Sequence, residues 1–545
     1  MRRPAVVHLL ATMLGLALAG PAARAEPSAA PAGESPAITA SPSPNESLPE
    51  PLPAFPEESA PQAASSRPPE PVAGRRVGAD LSGKVPTLLR GDVSPIDLNT
   101  ALRLGGVENP QIRIAAQRVA EAVAARQLAA AQILPSLNGG TGYDNHTGNL
   151  QQVNGSILAV NRSSLYAGAG ALAVGSGTVQ IPGVLWNLNV SQTVFGYLQS
   201  RQMVKQQEFA RLAMRNDMLL QITVAYLDLL RAAELRLIIM DIRDGAREVA
   251  RLTANYAASG LGRKADADRA ATELRQRETE LVQFEADVLV VAARLAALLN
   301  LSPALRLQPA DQYVVPEAIV PDTIALPQLI ATAMLGRPEL AERQAAIRRA
   351  LLELNASKLL PFSPNVIMAF SAGTYGGGSN LVTPAFGDFG GRTDLDAVTY
   401  WTLQNLAVGN HALIRGATAR FNTSNLQQVA VLNQVRNEVA AAHARVQARF
   451  LQIGITEEAV VAAQHAFTED LARIRGQEGL PIEVLNSLRL LARARTDYLN
   501  AIIDFNRAQF ELYVALGQPP AASLAQPVKA TPPPADADPP ATLKP

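Results

Sequence analysis

The sequence predicts a mixed α/β membrane protein in which one long unit occurs twice. Each copy opens on a helix start, at Asn109-Pro110 and at Arg337-Pro338, and the two prolines lie 228 residues apart. The closing landmarks, Asn300 and Gly517, lie 217 residues apart. Between these landmarks, each copy combines alternating, strand-like sequence with long uninterrupted helical sequence. Because only two copies occur, the pattern indicates a duplicated unit and not a solenoid.

The N-terminus has the features of a secretory signal. Arg2 and Arg3 precede an apolar stretch, and Ala23-Arg24-Ala25 forms a small-x-small cleavage site. The apolar stretch is too short to cross ~30 Å of hydrocarbon as an anchor. We therefore interpret residues 1–25 as a signal peptide.

Two Pro/Ala-rich segments flank the predicted folded region. Residues 26–90 are dominated by Pro, Ala, Ser and Glu, and residues 518–545 repeat this character. Such sequence buries too little apolar area to offset chain entropy, so both segments are predicted to be disordered. The folded region then divides into a first repeat at 95–303 and a second repeat at 324–517.

The composition argues against several functional classes. The chain has no cysteine, which rules out disulfides and a lipid attached to an N-terminal cysteine. The formal net charge is zero, so charge does not indicate a nucleic-acid partner. The histidines are dispersed, and there is no HExxH motif or Cys/His cluster. We predict no enzymatic activity, no cofactor and no metal site.

Each repeat begins with a helix and a pair of strands. The first helix lies near 108–134 and near 338–360, and in both copies it ends at a proline. Strands of about ten residues are predicted at Ser136–His146, Val184–Gly196, Pro364–Tyr375 and Thr399–Gly409. The Gly/Ser/Asn-rich sequence between paired strands, at 147–183 and 376–398, predicts long polar loops.

A long helical hairpin is predicted after each strand pair. In the first copy, residues 197–258 contain no proline and one glycine, and residues 264–299 form the return helix. The second copy matches with 411–475 and 481–516. A helix of about 60 residues is ~90 Å long, which is typical of a coiled coil or a helical tube.

Residues at steps of four and three support a coiled coil, although the core face of an ordinary bundle is an alternative. The first seam consists of Leu219, Thr223, Tyr226, Leu230, Ala233, Leu237 and Met240. The second consists of Leu488, Leu491, Tyr498, Ile502, Phe505, Leu512 and Leu516, and Arg495 and Gln509 interrupt it.

The predicted strands are long enough to cross a membrane, but four of them are too few to form a closed barrel. Strands of ~9–11 residues cross a bilayer at a tilt. Four strands cannot close a barrel, and lipid does not tolerate open sheet edges. If these strands span a membrane, several chains must share one barrel, and three chains would supply twelve strands. On that condition, the predicted fold is a trimeric 12-stranded β-barrel combined with long α-helical coiled coils.

This order of features resembles the outer-membrane efflux proteins of the TolC family over about 95–517. The resemblance is carried by the two helix starts, the exits Leu134-Pro135-Ser136 and Leu360-Pro361, the turns Tyr256–Leu261 and Glu478–Leu480, and the segments Val484–Ser487 and Ala508–Tyr513. It implies a homotrimer with a β-barrel in the outer membrane and an α-helical barrel in the periplasm. Such proteins are passive exit ducts that work with a periplasmic adaptor and an inner-membrane pump of RND or ABC type.

The resemblance implies an exit duct of a tripartite efflux or type I secretion system. A periplasmic coiled-coil structural or adaptor protein is the alternative. In the family, Gly-hydrophobic turns at the hairpin tips meet the adaptor, and by residue match these turns are Gly260-Leu261 and Gly479-Leu480. The alternative for the glycines is a simple helix C-cap.

Family members also narrow the periplasmic entrance with acidic residues. The matching positions are Glu483 and Asn486, but here the turn is shortened, contains Pro481 and has Asn in place of a second acid. Glu483 is equally interpreted as an N-terminal charge favoured by the helix dipole.

Polar and aromatic residues near the strand ends complete the predictions. Asp388, Arg392, Asp394 and Asp396 are interpreted as solvating the outer mouth, with lining of the mouth as the alternative. Trp186, Trp401, Tyr143 and Tyr375 suit an interfacial aromatic girdle, and ordinary strand aromatics are a close alternative.

Overall fold

The computed structural model of the chain describes residues 88–89, 93–173, 177–311, 314–382 and 386–520. The predicted signal peptide 1–25, the predicted extension 26–90 apart from residues 88–89, and residues 521–545 of the predicted tail lie outside the described residues.

The first repeat contains helices, a set of strands and a helical hairpin. It begins with β1 (Ser94–Ile96), α1 (Leu98–Glu108) and α2 (Pro110–Ala131). The strands are β2 (Ser136–Leu137), β3 (Gly139–Gln151), β4 (Ile157–Ala171), β5 (Ile181–Pro182) and β6 (Val184–Asn189). The hairpin consists of α3 (Val190–Ala258) and α4 (Lys264–Leu298).

The second repeat follows the same order. After β7 (Leu307–Pro309), which pairs in parallel with β1, come α5 (Leu326–Gly336) and α6 (Pro338–Leu359). The strands are β8 (Asn365–Ser379) and β9 (Gly387–Tyr400), and the hairpin consists of α7 (Val408–Arg475) and α8 (Pro481–Ala515). None of the described helices combines the length and the apolar character that a membrane-crossing helix needs.

In each repeat, the residue that opens the unit contacts the end of its closing helix. Asn109 caps α2 by accepting a hydrogen bond from the Gln111 amide at 2.9 Å, and its Nδ2 donates to the Leu298 carbonyl at 2.9 Å. Arg337 Nη1 donates to the Ala515 carbonyl at 3.4 Å. Because Leu298 and Ala515 are the last residues of α4 and α8, their carbonyls lack intrahelical partners. A different side chain thus donates a hydrogen bond to the terminal carbonyl of the closing helix in each copy.

The first predicted seam holds over its first half only. Leu219 to Leu230 are buried in the main core, but Leu237 is 50% exposed, so the prediction is wrong there. The buried face of α3 continues instead through Ile239 and Ile242. A straight helix with 3.6 residues per turn drifts by ~20° per heptad from a strict seven-residue repeat, which moves the contact stripe around α3.

The seam on α8 is buried apart from Tyr498, which is partly buried, and both of its polar interruptions have partners. The Gln509 side chain accepts a hydrogen bond from the Val320 amide at 3.0 Å and so holds the linker between the repeats against α8. Arg495 pairs with Asp241 on α3 and donates to Gln464 on α7 at 2.7 Å.

The predicted strand positions are partly wrong. The predicted loops 147–183 and 376–398 contain β4 and most of β9, while the predicted strands Val184–Gly196 and Thr399–Gly409 run into helices that begin at Val190 and Val408. Gly, Ser and Asn are weak strand formers, and here pairing with neighbouring strands overrides that local preference.

The long strands form one antiparallel sheet in the order β3–β4–β8–β9. β4 pairs with the second half of β8, Ala372–Ser379, and β6 pairs with the first half, Asn365–Phe370. β2 pairs with β6. Among the described residues, β3 pairs only with β4 and β9 pairs only with β8. Each of these two outer strands therefore carries a row of backbone groups without a strand partner.

Candidate functional site

The sheet has one polar face and one apolar face, because successive residues of a strand point to opposite sides. Tyr166 pairs directly with Tyr375, and Gly373 pairs with Arg392, which fixes the residues that share a side. The polar face carries Asp144, His146, Arg162, Ser164, Tyr166, Ser371, Tyr375, Arg392, Asp394 and Asp396.

The opposite face is apolar and exposed. It carries Tyr143, Leu165, Val184, Trp186, Met368, Phe370, Phe389 and Leu395. Leu395 is 72% exposed and Tyr143 is 63% exposed. An exposed apolar surface that extends over several neighbouring strands is not stable in water and needs lipid or protein to cover it.

Three residues do not have the surroundings that the sequence suggested. Tyr375 lies on the polar face, so it does not belong to a girdle on the apolar side. The Arg392 side chain is only 16% exposed and forms an ion pair with Asp394 at 3.0 Å. The interpretation of these two charged residues as merely solvated is therefore wrong.

The tip of the first hairpin lies between α3 and α4. Gly260 has φ of +78°, and Leu261 beside it is 69% exposed. A Cβ at Gly260 would meet nothing within 4 Å, so glycine is favoured there by backbone conformation and not by lack of space.

The tip of the second hairpin has a different construction. The residue with left-handed backbone is Gln477, with φ of +65°, and not Gly479. Glycine at 479 permits a close approach instead, since a Cβ there would lie 3.1 Å from the Cβ of Arg473. Leu480 is 61% exposed immediately before α8. Both tips thus present an exposed leucine, although their turns differ.

The two tips are joined to each other. The hydroxyl of Tyr256, near the end of α3, donates to the Ile474 carbonyl at the end of α7 at 2.9 Å. Val249, Ile474 and Val484 are buried in one cluster directly behind the turns. The structure therefore brings the predicted tips Gly260-Leu261 and Gly479-Leu480 to the same end of the paired hairpins.

The two predicted entrance residues lie close together on α8. The Glu483 carboxylate accepts a hydrogen bond from the Leu480 amide at 3.3 Å and lies 3.7 Å from Arg473 Nη1. Glu483 therefore caps its own helix, and its carboxylate lies at the helix N-terminus. Asn486 is exposed one turn further along α8.

Ion pairs between the two hairpins were not indicated by any sequence motif. Arg231 on α3 contacts Asp504 on α8 at 2.8 Å, and Asp228 pairs with Arg507. Nearer the tips, Arg489 on α8 contacts Glu273 on α4 at 2.5 Å. Of the residues that form such ion pairs, the sequence pattern singled out only Arg495, because its charge interrupts an apolar seam.

Solved structures with a similar fold include several outer-membrane channels. The outer-membrane channel OprN matches at 18% identity and a TM-score of 0.63, over 77% of this chain and 89% of that chain. The CmeC outer membrane channel of Campylobacter jejuni matches at 12% identity and a TM-score of 0.64, over 79% and 90%. The open-state MtrE channel of Neisseria gonorrhoeae matches at 15% identity and a TM-score of 0.58, over 80% and 96%.

This chain has the fold of an outer-membrane channel. The resemblance to the TolC family is thereby confirmed at the level of the fold, as is the predicted combination of strands with long helical hairpins. No family model matches the chain, and no curated protein matches it significantly.

Glu273 offers a test of how the hairpin ends of this channel fold are held. Burial raises its pKa, but hydrogen bonds from Arg489 and Arg277 outweigh burial and hold the pKa below its usual range. The carboxylate therefore stabilises the folded state above the usual carboxylate range, and this contribution is lost as the pH falls through the lowered pKa.

We expect Glu273→Gln to weaken the packing of the hairpin ends by about 2 kcal/mol at neutral pH, and the difference from the unchanged protein to shrink in acid. Amide hydrogen exchange over 481–495 measures this opening. Asp497→Asn, which removes an exposed pair within α8, is the matched control and should change exchange little. Equal exchange in the Glu273→Gln and unchanged proteins would contradict a stabilising role of the Glu273 carboxylate at the hairpin ends.

Proposed function

We propose that the protein is the outer-membrane exit duct of a tripartite efflux or type I secretion system. It lies in the outer membrane and extends into the periplasm, and it exports small molecules passively while an inner-membrane pump supplies the energy. The observation that carries this proposal is the sheet built on four long strands, with one exposed apolar face, one polar face and, among the described residues, two outer strands that have a strand partner on one side only.

This sheet requires cover for its apolar face and hydrogen-bond partners for its two outer strands. Lipid provides the first, and further copies of the chain provide the second. The long strands have 13 to 15 residues, more than the ~9–11 that cross a bilayer. Lipid covers the apolar face, but it cannot satisfy the backbone groups at the edges of β3 and β9. Pairing β9 of one copy with β3 of the next satisfies both edges, and three copies give a closed barrel of twelve strands.

The helical part supports the same assembly. On α7, Leu426 is 70% exposed, Leu451 is 68% exposed and Ile455 is 69% exposed. Large apolar side chains in such number on one helix suit burial against a neighbouring copy. A homotrimer would thus be held together by strand pairing at one end and by helix packing at the other.

The hairpin tips are the proposed contact with a periplasmic adaptor. Leu261 and Leu480 are exposed on neighbouring turns, so one chain offers two apolar points and a trimer offers six. The adaptor connects the duct to a pump of RND or ABC type. Glu483 and Asn486 are proposed to face the periplasmic entrance on α8.

Strand pairing between copies provides the direct test of the assembly. The chain has no cysteine, so cysteines can be introduced without background. Asn145→Cys on β3 is combined in turn with Gly391→Cys, Thr393→Cys and Leu395→Cys on β9. Opposed residues on paired strands have Cβ atoms ~4.5–5.5 Å apart, so oxidation of outer-membrane fractions should yield covalent trimers with at least one combination.

Each single cysteine variant is the control and should yield no covalent trimer. Recovery of the protein in the soluble periplasmic fraction, with no cross-linked product from any combination, would contradict the proposed function.

Adaptor contact is tested by charging the tips. The double variant Leu261→Asp with Leu480→Asp should abolish pump-dependent resistance and leave the trimer intact, because a carboxylate at the contact costs more to desolvate than a leucine. Gln477→Asp adds a charge to the same tip without removing a leucine, and it should retain most resistance. Normal resistance in the double variant would refute the contact.

A further inference from the structure

The second strand of the sheet is interrupted in its middle. After β4 ends at Ala171, the chain leaves the sheet at Leu172, whose φ is +64°. It returns at Ile181 and continues toward α3 as β6. The Gln180 amide donates to the Leu172 carbonyl at 3.0 Å and closes the loop. We call the described residues of this excursion, Leu172–Ala173 and Gly177–Gly183, the inserted segment.

The inserted segment lies on the polar face of the sheet. Ala173 and Val179 are 2% and 4% exposed because they pack on Tyr166, which is fully buried. The Ser164 hydroxyl donates to the Ala173 carbonyl at 3.3 Å. Tyr166 and Ser164 both belong to the polar face, so the segment covers that face and leaves the apolar one free.

The segment crosses the whole width of the sheet contributed by one chain. On β3, a Cβ at Gly142 would come within 2.7 Å of the Leu172 amide nitrogen, so the absence of a side chain makes room for the segment. On β8, Tyr375 packs against the buried cluster. On β9, Arg392 donates a hydrogen bond to the Gly177 carbonyl.

Arg392 is held in a geometry suited to this contact. Its guanidinium carbon lies 4.9 Å from the centre of the Tyr375 ring, and its Nε contacts Asp394 at 3.0 Å. A cation placed over an aromatic ring and fixed by a carboxylate loses little further entropy when it binds a carbonyl. Arg392 thus fastens the segment to the far edge of the sheet.

We propose that the inserted segment, fastened by Arg392, forms a fixed narrowing inside the outer-membrane pore and limits the size of the molecules that pass. The proposal rests on the proposed function, because the polar face becomes internal only when the barrel closes with its apolar face toward lipid. Each of three chains would then contribute one segment at the same level of the pore.

The dimensions make this narrowing effective. Twelve strands spaced ~4.8 Å apart and tilted by ~40° give a circumference of about 75 Å and a backbone radius of about 12 Å. A layer of polypeptide packed on a sheet lies up to ~10 Å from it. Because each segment spans all four strands of its chain, three segments line the full circumference and occupy much of the cross-section.

Accessibility to thiol reagents of two sizes tests the proposal. Asn187→Cys lies on the polar face between the segment and α3, and Ser379→Cys lies on the same face at the opposite end of the sheet. In intact cells, a small charged thiol reagent should label both sites. A maleimide carried on a bulky polyethylene glycol should label only the Ser379→Cys site.

Releasing the segment should admit the bulky reagent. Adding Arg392→Ala, or Val179→Ser, which loosens the segment without altering a long strand, should raise bulky labelling at Asn187→Cys by about tenfold. Arg162→Ala is the matched control, because it removes the same charge from the polar face away from the segment, and it should leave the bulky reagent excluded.

Two results would contradict the proposal that the inserted segment narrows the pore. The first is equal bulky labelling of the two sites when the segment is unaltered. The second is continued exclusion of the bulky reagent in both the Arg392→Ala and the Val179→Ser proteins. If the small reagent labels neither site in intact cells but labels both in detergent, the proposed outer-membrane function itself fails.

Discussion

The outer edges of β3 and β9, which have no strand partner in the described part of the chain, are the constraint on which the rest of the structure depends. A backbone amide or carbonyl left without a partner in hydrocarbon costs several kcal/mol, and each edge presents a row of them. The sheet is amphipathic, so lipid suits one face and water the other, but neither satisfies the edges in the membrane. The proposed closure by further copies of the chain would resolve this conflict, and it would also turn the polar face into the lining of a pore.

The duplicated helices supply a scaffold that carries this sheet. In both repeats the opening residue is bound to the last carbonyl of the closing helix, through Asn109 in the first copy and Arg337 in the second. Ion pairs such as Arg231–Asp504 and Glu273–Arg489 then tie one hairpin to the other. The result is a single chain in which the two hairpins end together, so that the exposed leucines of both tips lie at the same end.

Sequence reasoning placed the helices well because proline and glycine mark their ends and little else competes with helix formation in between. It failed on β4 and β9, whose Gly, Ser and Asn residues have the local chemistry of a loop. A glycine of β4 serves a tertiary need: a Cβ at Gly170 would come within 2.7 Å of the Ile181 carbonyl oxygen in the inserted segment, an effect that no local pattern reveals. At the tips, both turns lie where the sequence placed them and both leucines are exposed, whereas the left-handed residue of the second turn is Gln477 and not Gly479, because more than one backbone path can reverse two helices.

Amide hydrogen exchange of the protein in lipid nanodiscs tests the central claim most directly. If three copies close the sheet, amides across Gly139–Gln151 and Gly387–Tyr400 should exchange as slowly as those of the central strands β4 and β8. Rapid exchange confined to these two outer strands, with β4 and β8 protected, would mean that the edges stay open in lipid, and it would contradict closure by strand pairing between copies.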